Sequence, residues 1–248
     1  MVFKSLREDL QAFMDRDPAA RSKLEVALCY PGFHAIVIYR FTHWLWGKRL
    51  FLLGRFLSAV TKWLTGVEIH PGATIGKGFV IDHGNGVVIG ETAEIGRDVT
   101  LYQGVTLGGT SPAVDSQSQK CTKRHPTLRD NVIIGSGAQV LGPIILGEGA
   151  RVGANAVVTK DVPPSTTVVG IPARVIMPQD REQAKAFVAY GTPSDGAPDP
   201  LLRTIEDLRS QILTLRDRVH ELEDQQAASP TPGEDEAHIP VPLKRKTT

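Results

Sequence analysis

Val88-Ile89-Gly90-Glu91-Thr92-Ala93-Glu94-Ile95-Gly96-Arg97-Asp98-Val99-Thr100-Leu101 is the stretch on which the fold turns. Ile89, Ile95 and Leu101 stand six residues apart. The beat runs outward through Ile69, Ile75 and Ile81 on one side and Leu107 on the other, then through Ile134, Val140, Leu146, Val152 and Val158. Neither the helical period of about 3.6 nor the strand period of about 2 yields a strict six. Glycine follows the aliphatic residue in Ile75-Gly76, Ile89-Gly90 and Ile95-Gly96. Two residues before the beat, small or aliphatic residues recur as Ala93, Val99, Val105, Ala138, Ile144, Ala150 and Ala156. The pattern predicts a hexapeptide-repeat, left-handed parallel β-helix, in which each hexad forms one side of a triangular prism and three hexads one coil.

The beat breaks twice. From Ile81 to Ile89 the step is eight, leaving two extra residues in Asp82-His83-Gly84-Asn85-Gly86. From Leu107 to Ile134 the phase is lost, and the segment Gly108 to Asp130 holds Arg124-His125-Pro126. Solenoids carry stability in their regular repeats and chemistry in their irregular loops. Both breaks contain a histidine.

The 248 residues suffice for one substantial core with smaller attachments. With 28 Lys+Arg against 27 Asp+Glu, the chain lacks the basic excess of a nucleic-acid binder. Two cysteines, Cys29 and Cys121, are too few for a disulfide framework and fit a reducing cytoplasm, and Cys121 reads as an incidental thiol. The N-terminus lacks the apolar core of a signal peptide. The apolar stretch Ala35 to Leu64 is interrupted by Arg40, Lys48, Arg49, Arg55 and Lys62, so it reads as amphipathic helix and not as a membrane span.

Residues 1–66 read as an N-terminal helical domain. Asp17-Pro18 is expected to open its second helix as N-cap and first turn, and Pro31-Gly32 to end it. The β-helix is expected over 67–176, a short helix and linker over 177–200, and a coiled-coil helix over 201–226. Leu201, Ile205, Leu208, Ile212, Leu215, Val219 and Leu222 form the heptad stripe. A helix packed on the body is the alternative. Isoleucine at a with leucine at d favours two strands. Residues 227–248, charged and proline-rich, read as a disordered tail.

Around both breaks the chain resembles serine O-acetyltransferases. The resemblance rests on Gly32-Phe33-His34-Ala35, His43-Trp44-Leu45-Trp46, Glu68-Ile69-His70-Pro71, Ile81-Asp82-His83 and Val88-Ile89-Gly90-Glu91-Thr92-Ala93. Val105-Thr106-Leu107-Gly108-Gly109-Thr110, Arg124-His125-Pro126 and Gly170-Ile171-Pro172-Ala173-Arg174 complete it. It spans about Arg16 to Pro178. It implies a homotrimer that transfers acetyl from acetyl-CoA to the hydroxyl of L-serine for cysteine biosynthesis, without a metal. That threefold body is in tension with the two strands that the heptad stripe favours. Longer members carry more N-terminal helix, which pairs trimers, and that pairing is not expected here. The loop from Gly109 to His125 is longer and more polar than usual. Glu68 stands where longer members have aspartate. The family can bind O-acetylserine sulfhydrylase through a terminal isoleucine; this chain ends Lys246-Thr247-Thr248, so that complex is not expected.

Acetyl transfer from a thioester to an alcohol needs a base, donors for the oxyanion and aligned substrates. By resemblance His83 is the base and Glu68, 15 residues earlier and so about one coil away, orients its imidazole. Asp17 and Asp82 are assigned to the serine ammonium, Arg124 and His125 to its carboxylate and hydroxyl. A zwitterion needs carboxylates at one end and a guanidinium at the other. His83 and His125 are expected from different subunits. The acetyl-CoA arm would follow Gly109, Ser136 and Ala154, with Arg151 near a phosphate and the Gly109 amide as an oxyanion donor. Asp17 could instead be only an N-cap. His70 reads as a corner residue, His34 and His43 as packing or capping residues, His220 and His238 as solvated, Arg174 as a terminal corner residue that coenzyme A could reach, and Glu91 as a supporting group. Cysteine, which matches the serine zwitterion, is expected to act as a feedback inhibitor.

Three other readings compete. A sugar acetyltransferase of the same fold would keep a base histidine but would not need Asp17, Asp82 and Arg124. A γ-type carbonic anhydrase needs three converging histidines, two of them close in sequence, and His70, His83 and His125 include no such pair. A non-catalytic scaffold would not need histidines at both breaks.

Overall fold

The computed structural model describes residues 2–110, 117–120, 122–176, 209–216 and 218–219. The chain divides into two compact units, Met1–Ala197 and Pro198–Thr248. The first contains four helices, α1 (Val2–Arg16), α2 (Lys23–Cys29), α3 (Pro31–Gly47) and α4 (Phe51–Thr65), followed by the prism.

Three parallel sheets form the prism's sides. Sheet A stacks β1 (Glu68–Ile69), β4 (Val88–Ile89), β7 (Thr106–Gly108), β10 (Gln139–Leu141) and β13 (Val157–Val158). Sheet B holds β2 (Thr74–Ile75), β5 (Glu94–Ile95), β8 (Thr127–Leu128) and β11 (Ile145–Leu146). Sheet C holds β3 (Val80–Ile81), β6 (Thr100–Leu101), β9 (Ile133–Ile134), β12 (Arg151–Val152) and β14 (Thr167–Val169), closed by antiparallel β15 (Arg174–Val175). In each two-residue strand of the beat the second residue points inward. Ile89, Leu101, Leu107, Leu128, Ile134, Val140, Leu146 and Val152 are all almost wholly buried, a column of aliphatic side chains with no polar group in it. The repeat resumes at Leu128 in β8, one hexad earlier than expected, so the break closes before β8.

The helices cap the first coil. Asp9, with no exposed surface, meets the Arg40 guanidinium at 3.2 Å and accepts the Phe79 amide. Arg40 also donates to the carbonyls of Ile75 and Gly76. A buried carboxylate this well partnered fixes α1 and α3 to β2 and β3. Two helix boundaries differ from expectation. Asp17 caps no helix: α2 starts at Lys23, where the Ser22 hydroxyl accepts the Glu25 amide at 3.1 Å. Pro31 opens α3 instead of ending α2, because proline suits a first helical position that needs no amide donor.

In the second unit, Arg209–Arg216 and Arg218–Val219 are helical, with Ile212, Leu215 and Val219 exposed. The rest of the expected coiled coil, the segment 177–200 and the tail 227–248 lie outside the described residues.

Candidate active site

The two breaks occupy different corners of the prism. Each coil turns from sheet C into sheet A at one corner, and from sheet A into sheet B at the next. His83 lies at the first corner, between β3 and β4. Arg124 and His125 lie at the second, just before β8.

At the first corner, the Asp82 amide is held by the Leu101 carbonyl at 2.8 Å, and His83 takes φ +59. A left-handed backbone is uncommon for histidine and marks a position held by its surroundings. It turns the imidazole outward, with the side chain 62% exposed and Nε2 4.0 Å from Asp82 Oδ1. The start of α3 presses on the strand that delivers this loop: a Cβ on Gly32 would lie 2.0 Å from the Ile81 carbonyl oxygen. Asp17 arrives from the end of α1, where Arg16 binds the Gly78 carbonyl at 2.9 Å and Asp98 at 2.9 Å. Asp17 and Asp82 act on the same two phenols. The Tyr30 hydroxyl is pushed up to about 12, first by its bond to Asp17, and Asp82 contributes. Burial raises Tyr102, and both carboxylates add to it. Both carboxylates therefore lie within electrostatic range of the same two phenols, and Asp82 adjoins His83.

Ser136 and Ala154 continue this corner along the prism. The Gly104 amide bonds the Asn85 carbonyl, Gly137 that of Gln103, and Asn155 that of Ser136, in each case within 2.8–2.9 Å. They line a column of small turns leading away from His83. Arg151 sits on β12, in sheet C.

At the second corner, Arg124 pairs with Glu91 at 2.8 Å, and its Nε has no hydrogen-bond partner among the described residues. His125 Nδ1 accepts the Thr92 amide at 3.1 Å, while the Thr92 hydroxyl accepts the amides of Arg124 and His125. Burial, then Arg124, lowers the His125 pKa, so the ring is neutral near pH 7. With Nδ1 accepting, the proton resides on Nε2, which is left as a donor. Gly109, at the root of the second break, lies close to the Arg124 carbonyl. His70, on the coil before, accepts the Gly72 amide at Nδ1 and is held at about 4 by burial. His34 and His43 donate to the carbonyls of Ala27 and Pro71.

One expected contact is replaced. Glu68 opens β1 on the sheet A side of the first corner, but its carboxylate accepts from Lys62 Nζ at 2.6 Å, not from His83. Lys62 lies in the last turn of α4, immediately before β1, and reaches Glu68 first. Their side chains are 56% and 30% exposed, so the pair is a weak surface bridge.

The serine acetyltransferase N-terminal family matches residues 1–37, and the bacterial transferase hexapeptide family matches residues 125–160. The serine acetyltransferase of Bacillus subtilis is 48% identical over 224 residues, covering 90% of this chain and 96% of that one. The chain belongs to the serine acetyltransferase family. The Neisseria gonorrhoeae serine acetyltransferase solved with serine aligns with TM-score 0.66 at 40% identity, covering 71% of this chain and 69% of that one. Serine acetyltransferases solved with cysteine and with CoA align with TM-scores of 0.67 and 0.65 at 41% and 42% identity, over 71% of this chain and 70% and 69% of theirs. These likenesses support the left-handed hand of the prism and its N-terminal helices. Among the described residues, no helix is long and apolar enough to cross a membrane, and no three His, Cys, Asp or Glu side chains gather as a metal site.

Sequence reasoning passed over Tyr30, Tyr102 and the role of Thr92 in this serine acetyltransferase family member. Tyr102 was within reach, since it follows Leu101, the register partner of Ile81, and so stacks on Asp82. Tyr30 gives no such signal, because only the packing of α1 on α3 brings it to Asp17.

Proposed function

We propose that this protein transfers the acetyl group of acetyl-CoA to the hydroxyl of L-serine, at sites each closed by two protomers of a homotrimer. The observation that carries this reading is the division of the machinery between the two edges of sheet A. One edge has His83 beside Asp82, with Asp17 acting on the same two phenols as Asp82; the other has Arg124 and the Nε2 donor of His125. The two sets flank the same sheet of one protomer, so they converge only when the first corner of one copy meets the second corner of another. Threefold closure supplies three such meetings.

In the cleft, Asp17 and Asp82 would hold the serine ammonium and Arg124 its carboxylate, with Glu91 bracing the guanidinium. His83 takes the hydroxyl proton as the oxygen attacks the thioester carbon. The Gly109 amide donates to the developing oxyanion, and His125 Nε2–H holds the substrate oxygen. The imidazolium of His83 then returns its proton to the departing thiolate. Glu68 would orient and stabilise that imidazolium by exchanging Lys62 for His83. The column Ser136–Ala154 offers the narrow cofactor arm a close approach to backbone, with Arg151 beside it for a phosphate.

Cysteine, with the same ammonium and carboxylate, would compete with serine. The exposed Ile212, Leu215 and Val219 suit a coiled-coil seam, and the protein is read as cytoplasmic. The test is acetyl-CoA consumption with serine, homoserine and galactosides as acceptors. Serine is expected to be strongly preferred, and His83→Ala to lose about 10²–10⁴ in rate without dissociating the oligomer. Preference for a sugar, or normal turnover by that variant, would reject the reading.

A further inference from the structure

Asp17 is held by two bonds. Its Oδ1 accepts the Ala19 amide at 2.8 Å, and its Oδ2 accepts the Tyr30 hydroxyl at 2.7 Å. An ionised carboxylate has about four acceptor positions, so both oxygens can still receive a ligand. Tyr30 lies between α2 and α3, its ring packed edge-on against Phe13 with centroids 6.0 Å apart. The phenol, at about 12, stays a donor throughout neutral pH. Asp17 itself follows the last residue of α1 and is only half-buried, so packing alone does not hold its carboxylate in one rotamer.

We infer that Tyr30 is a positioning residue for the substrate ammonium: its hydroxyl fixes Asp17 so that this carboxylate and Asp82 face the same ligand. The inference rests on the reading of this corner as the serine site. Tyr30 touches no reacting atom; it lowers the reorganisation needed when the ammonium arrives. A bond to an ionised group is lost in Tyr30→Phe, so KM for serine is expected to rise about tenfold or more, with kcat within about twofold and KM for acetyl-CoA unchanged.

Three measurements separate positioning from a structural role. With 3-hydroxypropanoate, which keeps hydroxyl and carboxylate but lacks the ammonium, Tyr30→Phe should match the parent enzyme. In an Asp17→Ala background, Tyr30→Phe should add nothing, because the two residues act as one unit. The melting temperature of Tyr30→Phe should stay close to the parent, since the ring still packs on Phe13. An unchanged KM for serine overturns the inference while leaving the serine reading intact. So does an equal loss on both acceptors, or a variant that fails to fold. A parent enzyme that does not acetylate serine removes both together.

Discussion

Gly90→Ala gives a sharp test of the second corner. Gly90 follows β4 and passes directly under His125: an added Cβ would lie 2.1 Å from both Cδ2 and Nε2 of the imidazole. Ordinary contact begins at 3.4 Å, so the ring must retreat by about 1.3 Å, the difference between the two distances. That retreat takes Nδ1 from the Thr92 amide, now at 3.1 Å, and swings the Nε2 donor away from the cleft. The Gly90 backbone lies outside the left-handed region, so alanine costs little there apart from this collision. Misplacement of a positioned group by about 1 Å can cost about 10²-fold in rate, and kcat/KM for serine is expected to fall by about that much. Steady-state kinetics with serine varied and acetyl-CoA saturating measures it, with a thermal melt to verify the fold. In a His125→Ala background the same substitution should have no further effect. A folded Gly90→Ala enzyme with kcat/KM within about twofold of the parent would refute the assignment of His125 to the site.

Other outcomes follow from the same geometry. If each site joins the first corner of one protomer to the second corner of another, inactive His83→Ala and His125→Ala proteins refolded together should recover about a quarter of parental activity, because three in four trimers are mixed and each holds one intact site of three; no recovery would argue for sites within single protomers. Asp9→Ala leaves Arg40 charged and poorly partnered at the junction of helices and prism, and should cost about 3–5 kcal/mol in urea unfolding, where a loss below about 1 kcal/mol would contradict its role as the tie. Burial holds His70 at about 4 against an ordinary 6.5, and His125 is lowered too. The unfolded chain therefore binds protons first as pH falls, so these groups cost nothing above pH 6.5 and stability declines from there toward pH 4. Melting temperatures across that window should drop less steeply in His70→Gln, and an identical slope would remove His70 as a cause.

The prism was legible because its information is local and repeated. One aliphatic residue per hexad must enter a narrow core, so the period appears in the sequence without reference to any other element, and its two interruptions mark where chemistry can sit. His83, Asp82, Arg124 and His125 fall in those interruptions. Residues that depend on the meeting of distant segments were harder to read. Asp17-Pro18 carries a helix-start signal, yet Ser22 provides the cap, and the carboxylate of Asp17 turns to Tyr30. Glu68 matches its motif position, but a lysine one helical turn before the prism occupies it.

The sequence by itself determined the six-residue coil, its interior and the residue types at each break, since burial of a periodic aliphatic column depends only on spacing. Tertiary structure alone decided which corner each break occupies, which tautomer His125 presents and which donor holds Asp17. Those follow from hydrogen bonds between segments tens of residues apart, whose partners no local pattern names.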